Sequence, residues 1–345
     1  MLITRISGRL EELINEGKVP GLSIAIYKNN SWEWQAGFGY ADLQYKTPVQ
    51  PSQTRFRAAS ISKPIAACAL ASMVAEGLIN LDASFYDYVP DFPGKKYDFS
   101  IRQLASHTAG IRGYSGKEYA LNKPYTIRQS LEVFQDDPLL FEPGTQFYYN
   151  SYGFVLLSLA MEEASGIPFD VYTREKVLTP LGMTNTIPEQ PATTNQQQST
   201  SNSQPTKNNR QATCYTRRAS GFREAIKVDN RFKLAGGGYL TTVQDIIRLG
   251  QAVLRKNFYP EVMSTFLESQ KVNGAKTYYG LGWEVSENAR GRPFYGHIGN
   301  QVGGYSYFRV FPGTGLIIAA LVNCSDPKIK DILDGIAEEF QDYGV

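Results

Sequence analysis

Apolar positions near the start of the chain, Ile3, Ile6, Leu10, Leu13 and Ile14, recur at helical spacing until Gly17 ends the run. Segments 21–27 and 31–38 then read as two strands joined by a turn at Asn29 and Asn30. Residues 60–75 are rich in alanine, isoleucine and leucine and close on Gly77, which predicts a helix and its stop. Pro64 fits only in the first turn of that helix, since deeper inside it would break the hydrogen-bond ladder, so the helix starts close to Ser60. The middle of the chain is mostly helical and loop-rich, with helices at 153–164 and 242–254, the second after the glycine run 236–238. Strand texture then takes over at 281–285, 293–297, 304–311 and 315–322, and a last amphipathic helix covers 327–340.

Strands at both ends around a helical middle predict an α+β fold, an antiparallel sheet flanked by helices and completed by distant parts of the chain. The expected division is a discontinuous sheet domain, 1–80 with 275–345, and an inserted, mostly helical domain, 81–274. Within the inserted domain, 188–210 offers one alanine as its apolar content and reads as a polar surface insertion. Lys207, Arg210, Arg217 and Arg218 fall in or beside it and read as part of a solvated loop rather than an anion site.

Composition narrows the function. The 345 residues are 42% hydrophobic and 20% charged, enough for a full core. With 35 basic and 33 acidic residues the net charge is +2, which gives no electrostatic case for nucleic acid or a membrane surface. The longest apolar run, 316–322, is far short of the ~20 residues of a transmembrane segment. Residues 1–7 lack the apolar core of a signal peptide, which leaves the cytoplasm, or export after a leader is trimmed, as the compartment. Cys68, Cys214 and Cys324 have no paired spacing, and His107 and His297 belong to no metal-binding pattern, so neither a disulfide framework nor a metal site is expected. The GxSxG, P-loop and GxGxxG patterns are absent.

Three short motifs carry candidate chemistry. Ser60-Ile61-Ser62-Lys63 is an SxxK at a helix start, where positions i and i+3 share a face and Lys63 reaches the Ser60 hydroxyl. A second SxxK, Ser325 to Lys328, shows how weak the pattern is alone. Tyr148-Tyr149-Asn150 is a YxN whose alternate residues point the same way in an extended segment, a phenol to relay protons and an amide to orient the site. His297-Ile298-Gly299 ends an expected strand; Gly299 lets substrate approach closely, and the next N–H, on Asn300, is placed to polarise a carbonyl.

In this order the three motifs resemble those of the SxxK serine hydrolases, which include class C β-lactamases, serine DD-peptidases and related esterases. The segments 56–63 (FRAASISK), 106–112 (SHTAGIR), 134–147 (FQDDPLLFEPGTQF) and 235–242 (AGGGYLTT) are most similar to the mitochondrial β-lactamase-like proteins and their bacterial relatives. The resemblance spans nearly the whole chain. It implies Ser60 as nucleophile, Lys63 as its base, Tyr148 as proton relay, Asn150 as an orienting residue and His297 as part of the site wall. It further implies an oxyanion hole of the Ser60 and Asn300 N–H groups, a loop-ordering place for His107, and no metal or organic cofactor.

Many members of that family carry Lys-Thr-Gly where this chain has His297-Ile298-Gly299, and there the lysine and threonine help hold a substrate carboxylate. The departure leaves two readings of His297, a cation that titrates near neutrality or a neutral hydrogen-bonding ring. The leading functional expectation is a serine hydrolase that acts through an acyl-enzyme on a peptide-like amide or ester. The alternatives are a true β-lactamase or DD-carboxypeptidase, and, in another class, a weakly active scaffold or filament subunit that self-associates.

Overall fold

A computed structural model describes residues 2–190 and 210–343. Among these, seven strands form the main sheet: β1 (Gly21–Lys28), β2 (Ser31–Asp42), β3 (Thr47–Pro48), β4 (Glu284–Glu287), β5 (Pro293–Gln301), β6 (Gly304–Phe311) and β7 (Leu316–Val322). They lie in the order β4-β5-β6-β7-β1-β2-β3, every neighbour antiparallel. The early and late strands meet where β1 pairs with β7, Leu22 opposite Val322 and Tyr27 opposite Ile317.

Both faces of this sheet are covered, so every residue of β1 and β7 is buried. Successive side chains on a strand point to opposite faces. Leu316, Ile318, Ala320 and Val322 therefore enter one core beneath helices α1 (Leu2–Asn15) and, from the end of the described chain, Lys330–Asp342. Ile317, Ala319 and Leu321 enter the other, which they share with α2 (Ser62–Ala75), α3 (Tyr152–Ser165) and α4 (Val243–Leu254). That second core runs on into the middle of the chain without a break. The Lys330–Asp342 helix is α5.

Helix α4, which falls inside 81–274, lies across β7, β1 and β6. A side chain at Gly250 would meet Ile317 and Phe308, so the bare backbone there permits the close approach. Three further differences bear on the site. Strand β5 reaches Gln301, so the whole 297–299 motif is strand. The polar insertion begins later than expected: Ile187–Pro188 pairs with Tyr239–Thr241, and Glu189 is buried against Arg57. Residues 191–209, with Lys207, lie outside the described residues. Finally, Arg217 and Arg218 sit not in a loop but in a hairpin of Tyr215–Arg218 with Gly221–Glu224. No helix among the described residues is long and apolar enough to cross a membrane.

Candidate active site

Helix α2 is apolar around its whole circumference, and residues 62–73 are all buried, so it runs through the interior. Lys63 is its one charged residue and is 0% exposed. The helix is entered through a 3-10 turn, Ala59–Ile61, that carries Ser60. Ala59 has a φ of +46°, a conformation that costs a non-glycine residue energy and turns the backbone sharply at the serine. Strand β6 holds this turn in place, since Ser306 Oγ donates to Ala58 O at 2.7 Å. Strand β5 passes so close that a Cβ on Gly299 would lie 2.7 Å from Ser60 N and collide with Ser306 Oγ. Only glycine fits there.

Two donors converge on Ser60 Oγ: Lys63 Nζ at 3.2 Å and the hydroxyl of Tyr149 at 2.8 Å. The tyrosine expected there was Tyr148, and the structure corrects this. Tyr148 is 44% exposed, and its hydroxyl turns towards Gly113. Asn150 is also turned away from the nucleophile. Its Oδ1 accepts from Gly153 N at 2.7 Å and its Nδ2 donates to Tyr148 O at 3.0 Å, so the amide caps the start of α3. Two residues after Tyr149 comes Ser151, which lines the cavity beside Ser60 and bonds with Tyr114. The local signal for this register was the Asn-Ser pair just before a helix, where a capping role competes for the amide.

His107 fixes the tyrosine segment. Its carbonyl accepts from Tyr148 N at 2.9 Å, and its Nδ1 accepts from Asn150 N at 3.4 Å. Its ring lies 4.5 Å from the Tyr149 ring and 4.7 Å from Tyr279, centroid to centroid. The residue is buried with a φ of +62°, so the surrounding packing holds an unfavourable backbone. Burial, with Lys63 and His297 nearby, keeps this imidazole well below its usual pKa. His107 therefore orders the segment 148–150 while packing against Tyr149 itself.

His297 lies behind Tyr149, with ring centroids 5.8 Å apart, rather than in the cavity wall. Its Nδ1 donates to Ile298 O at 2.7 Å, and its Nε2 accepts from the Tyr279 hydroxyl at 3.0 Å. Burial and the neighbouring Lys63 push its pKa down to about 3. The ring is neutral at physiological pH, which removes the titrating-cation reading.

The cavity in front of Ser60 has a volume of about 500 Å³. Asn300 lines it from β5, with Oδ1 accepting from Asp326 N at 3.0 Å. The wall also holds Gly236, from the 236–238 glycine run, and Tyr114, Tyr119 and Lys233, which no sequence motif marked. The second SxxK proves empty of its chemistry, because Lys328 pairs with Asp326 at 2.6 Å and its side chain is 81% exposed. Ser325 lies in the cavity rim, where its Oγ accepts from Gly303 N at 2.7 Å. No group of three or more metal-ligating side chains occurs among the described residues.

The electrostatics single out one base. Burial, and then the charge of Lys233, draw the Lys63 ammonium down to about 7, and its Nζ donates to Gly236 O at 3.0 Å. Tyr149 is 41% exposed as a residue, yet desolvation pushes its hydroxyl up and it stays a phenol. Both imidazoles are neutral. Near neutral pH, Lys63 is the group beside Ser60 poised to take a proton.

The sequence profile of the Beta-lactamase family matches residues 6–339. The human mitochondrial serine beta-lactamase-like protein LACTB is 26% identical, with 96% of this chain and 78% of LACTB covered. Among solved structures, D-amino acid amidase from Ochrobactrum anthropi superposes with a TM-score of 0.81 at 21% identity, covering 99% of this chain and 98% of the other. The octameric penicillin-binding protein homologue from Pyrococcus abyssi gives 0.79 at 24% identity, over 95% of this chain and 74% of that one. With Ser60 on a tight turn beside a buried lysine and the family profile running almost end to end, this chain belongs to the beta-lactamase family of serine hydrolases.

Proposed function

We propose that the protein is a serine hydrolase that forms an acyl-enzyme on Ser60 from an ester or peptide-like amide. The observation that carries this reading is the convergence of Lys63 Nζ and the Tyr149 hydroxyl on Ser60 Oγ. Neutral Lys63 takes the Ser60 proton as Oγ attacks the carbonyl carbon. The resulting oxyanion lies between the N–H groups of Ser60 and Asn300. As the bond to the leaving group breaks, Tyr149 gives its proton to the departing nitrogen or oxygen and is reprotonated by Lys63. Water then attacks the acyl-enzyme, with Lys63 again taking a proton, and the acid is released.

The neutral His297 and the adjacent Ile298 lack the lysine and threonine that help hold a substrate carboxylate in many family members, which argues against strong β-lactamase activity. A nitrocefin assay beside a panel of p-nitrophenyl esters separates that activity from ester hydrolysis, and ester turnover without nitrocefin turnover is expected. Ser60→Ala should abolish labelling by a fluorophosphonate probe and lower kcat by about 10³-fold or more. Wild-type turnover in Ser60→Ala, or an adduct located by mass spectrometry on another residue, would sink the assignment.

A further inference from the structure

The cavity wall is electrically lopsided. Lys233 lines it at 4% exposure, with Nζ donating to Tyr119 O at 3.2 Å and lying 5.3 Å above the Tyr114 ring. No carboxylate lies within ion-pair distance of it among the described residues. Arg218 and Arg223 come from the hairpin Tyr215–Arg218 with Gly221–Glu224. Thr216 stands opposite Arg223 there, and Arg218 is two residues on from Thr216, which puts all three on the face that lines the cavity. Neither arginine has a carboxylate partner among the described ion pairs. The one carboxylate in the wall, Asp326, is already paired with Lys328 at 2.6 Å.

The carboxylates nearest in charge to Lys233, Glu189 and Asp229, are already paired with Arg57 and Arg231, and a buried cation so weakly compensated is costly unless something that binds supplies an anion. Burial, followed by the charge of Arg57, draws Lys233 down to about 8, which leaves it mostly protonated at neutral pH. The anion belongs to the part of the substrate that stays on the enzyme. Tyr149, which must meet the leaving group, reaches Ser60 from the side of His107, Tyr279 and His297 and is no part of the cavity wall. The cavity proper is thus left to the acyl portion.

We infer that the cavity selects acyl groups bearing a free carboxylate, which Lys233 holds while Arg223 and Arg218 close the outer side. This inference rests on the serine hydrolase reading of the same site. Its alternative is that Lys233 serves only to depress the pKa of Lys63.

Mono-p-nitrophenyl glutarate and p-nitrophenyl valerate, matched in chain length, test it near neutral pH. Wild type should favour the glutarate ester by about tenfold or more in kcat/KM, and Lys233→Gln should lose that preference through a raised KM for the glutarate ester alone, whatever change in kcat the two esters share. Arg223→Gln, on the hairpin surface, should lose part of the preference and serves if Lys233→Gln does not fold. Equal rates on both esters in wild type would overturn the inference. So would a Lys233→Gln variant whose rates fall equally on both esters with a shifted pH profile, the mark of a pKa-tuning role. Fluorophosphonate labelling of Ser60 keeps the two readings apart. Loss of labelling in wild type defeats the hydrolase reading, whereas intact labelling that millimolar glutarate fails to slow, relative to valeramide, defeats the carboxylate subsite alone.

Discussion

Lys63 is buried inside an apolar helix with no acidic partner, and this makes it both a base and a liability. Its pKa is about 7 in the folded protein and near 10.5 when the chain is unfolded. Between those values the unfolded chain binds more protons, so stability rises with pH across that window, and the full penalty is felt below about 7. Lys63→Met should therefore raise Tm at pH ~6 more than at pH ~10 while abolishing turnover, and an unchanged Tm at both would refute the buried-ammonium account. For wild type, kcat/KM on a neutral ester should climb to a plateau as pH passes ~7, because only the free amine accepts the Ser60 proton. Tyr149→Phe should cost about 10²-fold in kcat, and Tyr148→Phe should cost little; the reverse order would restore the sequence expectation. At this scale the sequence was legible where chemistry is local. Ser60 and Lys63 sit one helical turn apart, so spacing alone pairs them. Two adjacent tyrosines cannot be ranked by spacing, since only the packing of His107 against Tyr149 decides between them. The neutrality of His297 was equally hidden, because its burial comes from elements far away in the chain.

Among elements, the contact between β5 and the Ala59–Ile61 turn decides whether a nucleophile exists at all. Ser306 anchors the turn to β6, and Gly299 leaves room for the Ser60 amide. Gly299→Ala should push the strand off the turn and lower kcat by about 10²-fold or more, with a modest change in Tm. A crystal structure of the variant with an unmoved Ser60 and full activity would contradict this. The sequence revealed most of these elements, since the strands at 21, 31, 304 and 316 follow strong apolar patterns. It shortened β5, whose glycines and polar residues give a weak strand signal although pairing with β6 continues to Gln301. The Tyr215–Arg218 hairpin was missed for a related reason: charged strands on a cavity rim look like loops when only hydrophobicity is read.

Over the whole molecule, one buried ion pair ties the site together. Arg57 pairs with Glu189 at 2.6 Å and also donates to Val302 O, and Asn230 Nδ2 donates to Glu189 at 2.6 Å. The network links the approach to Ser60, the turn between β5 and β6, and two segments from the middle of the chain. Removing one charge with Glu189→Gln should cost about 3–5 kcal/mol, read as a lower urea midpoint, because Arg57 is then left buried and unpaired. A variant as stable as wild type would show that the pair contributes nothing. The joining of β1 to β7 has a further consequence for biosynthesis. Ser60 emerges from the ribosome early, but the strands that brace its turn, β5 and β6, come from the far end of the described chain. A nascent chain lacking them holds the serine and the lysine without the wall that aligns them, so the site stays unassembled until β5 and β6 have left the ribosome.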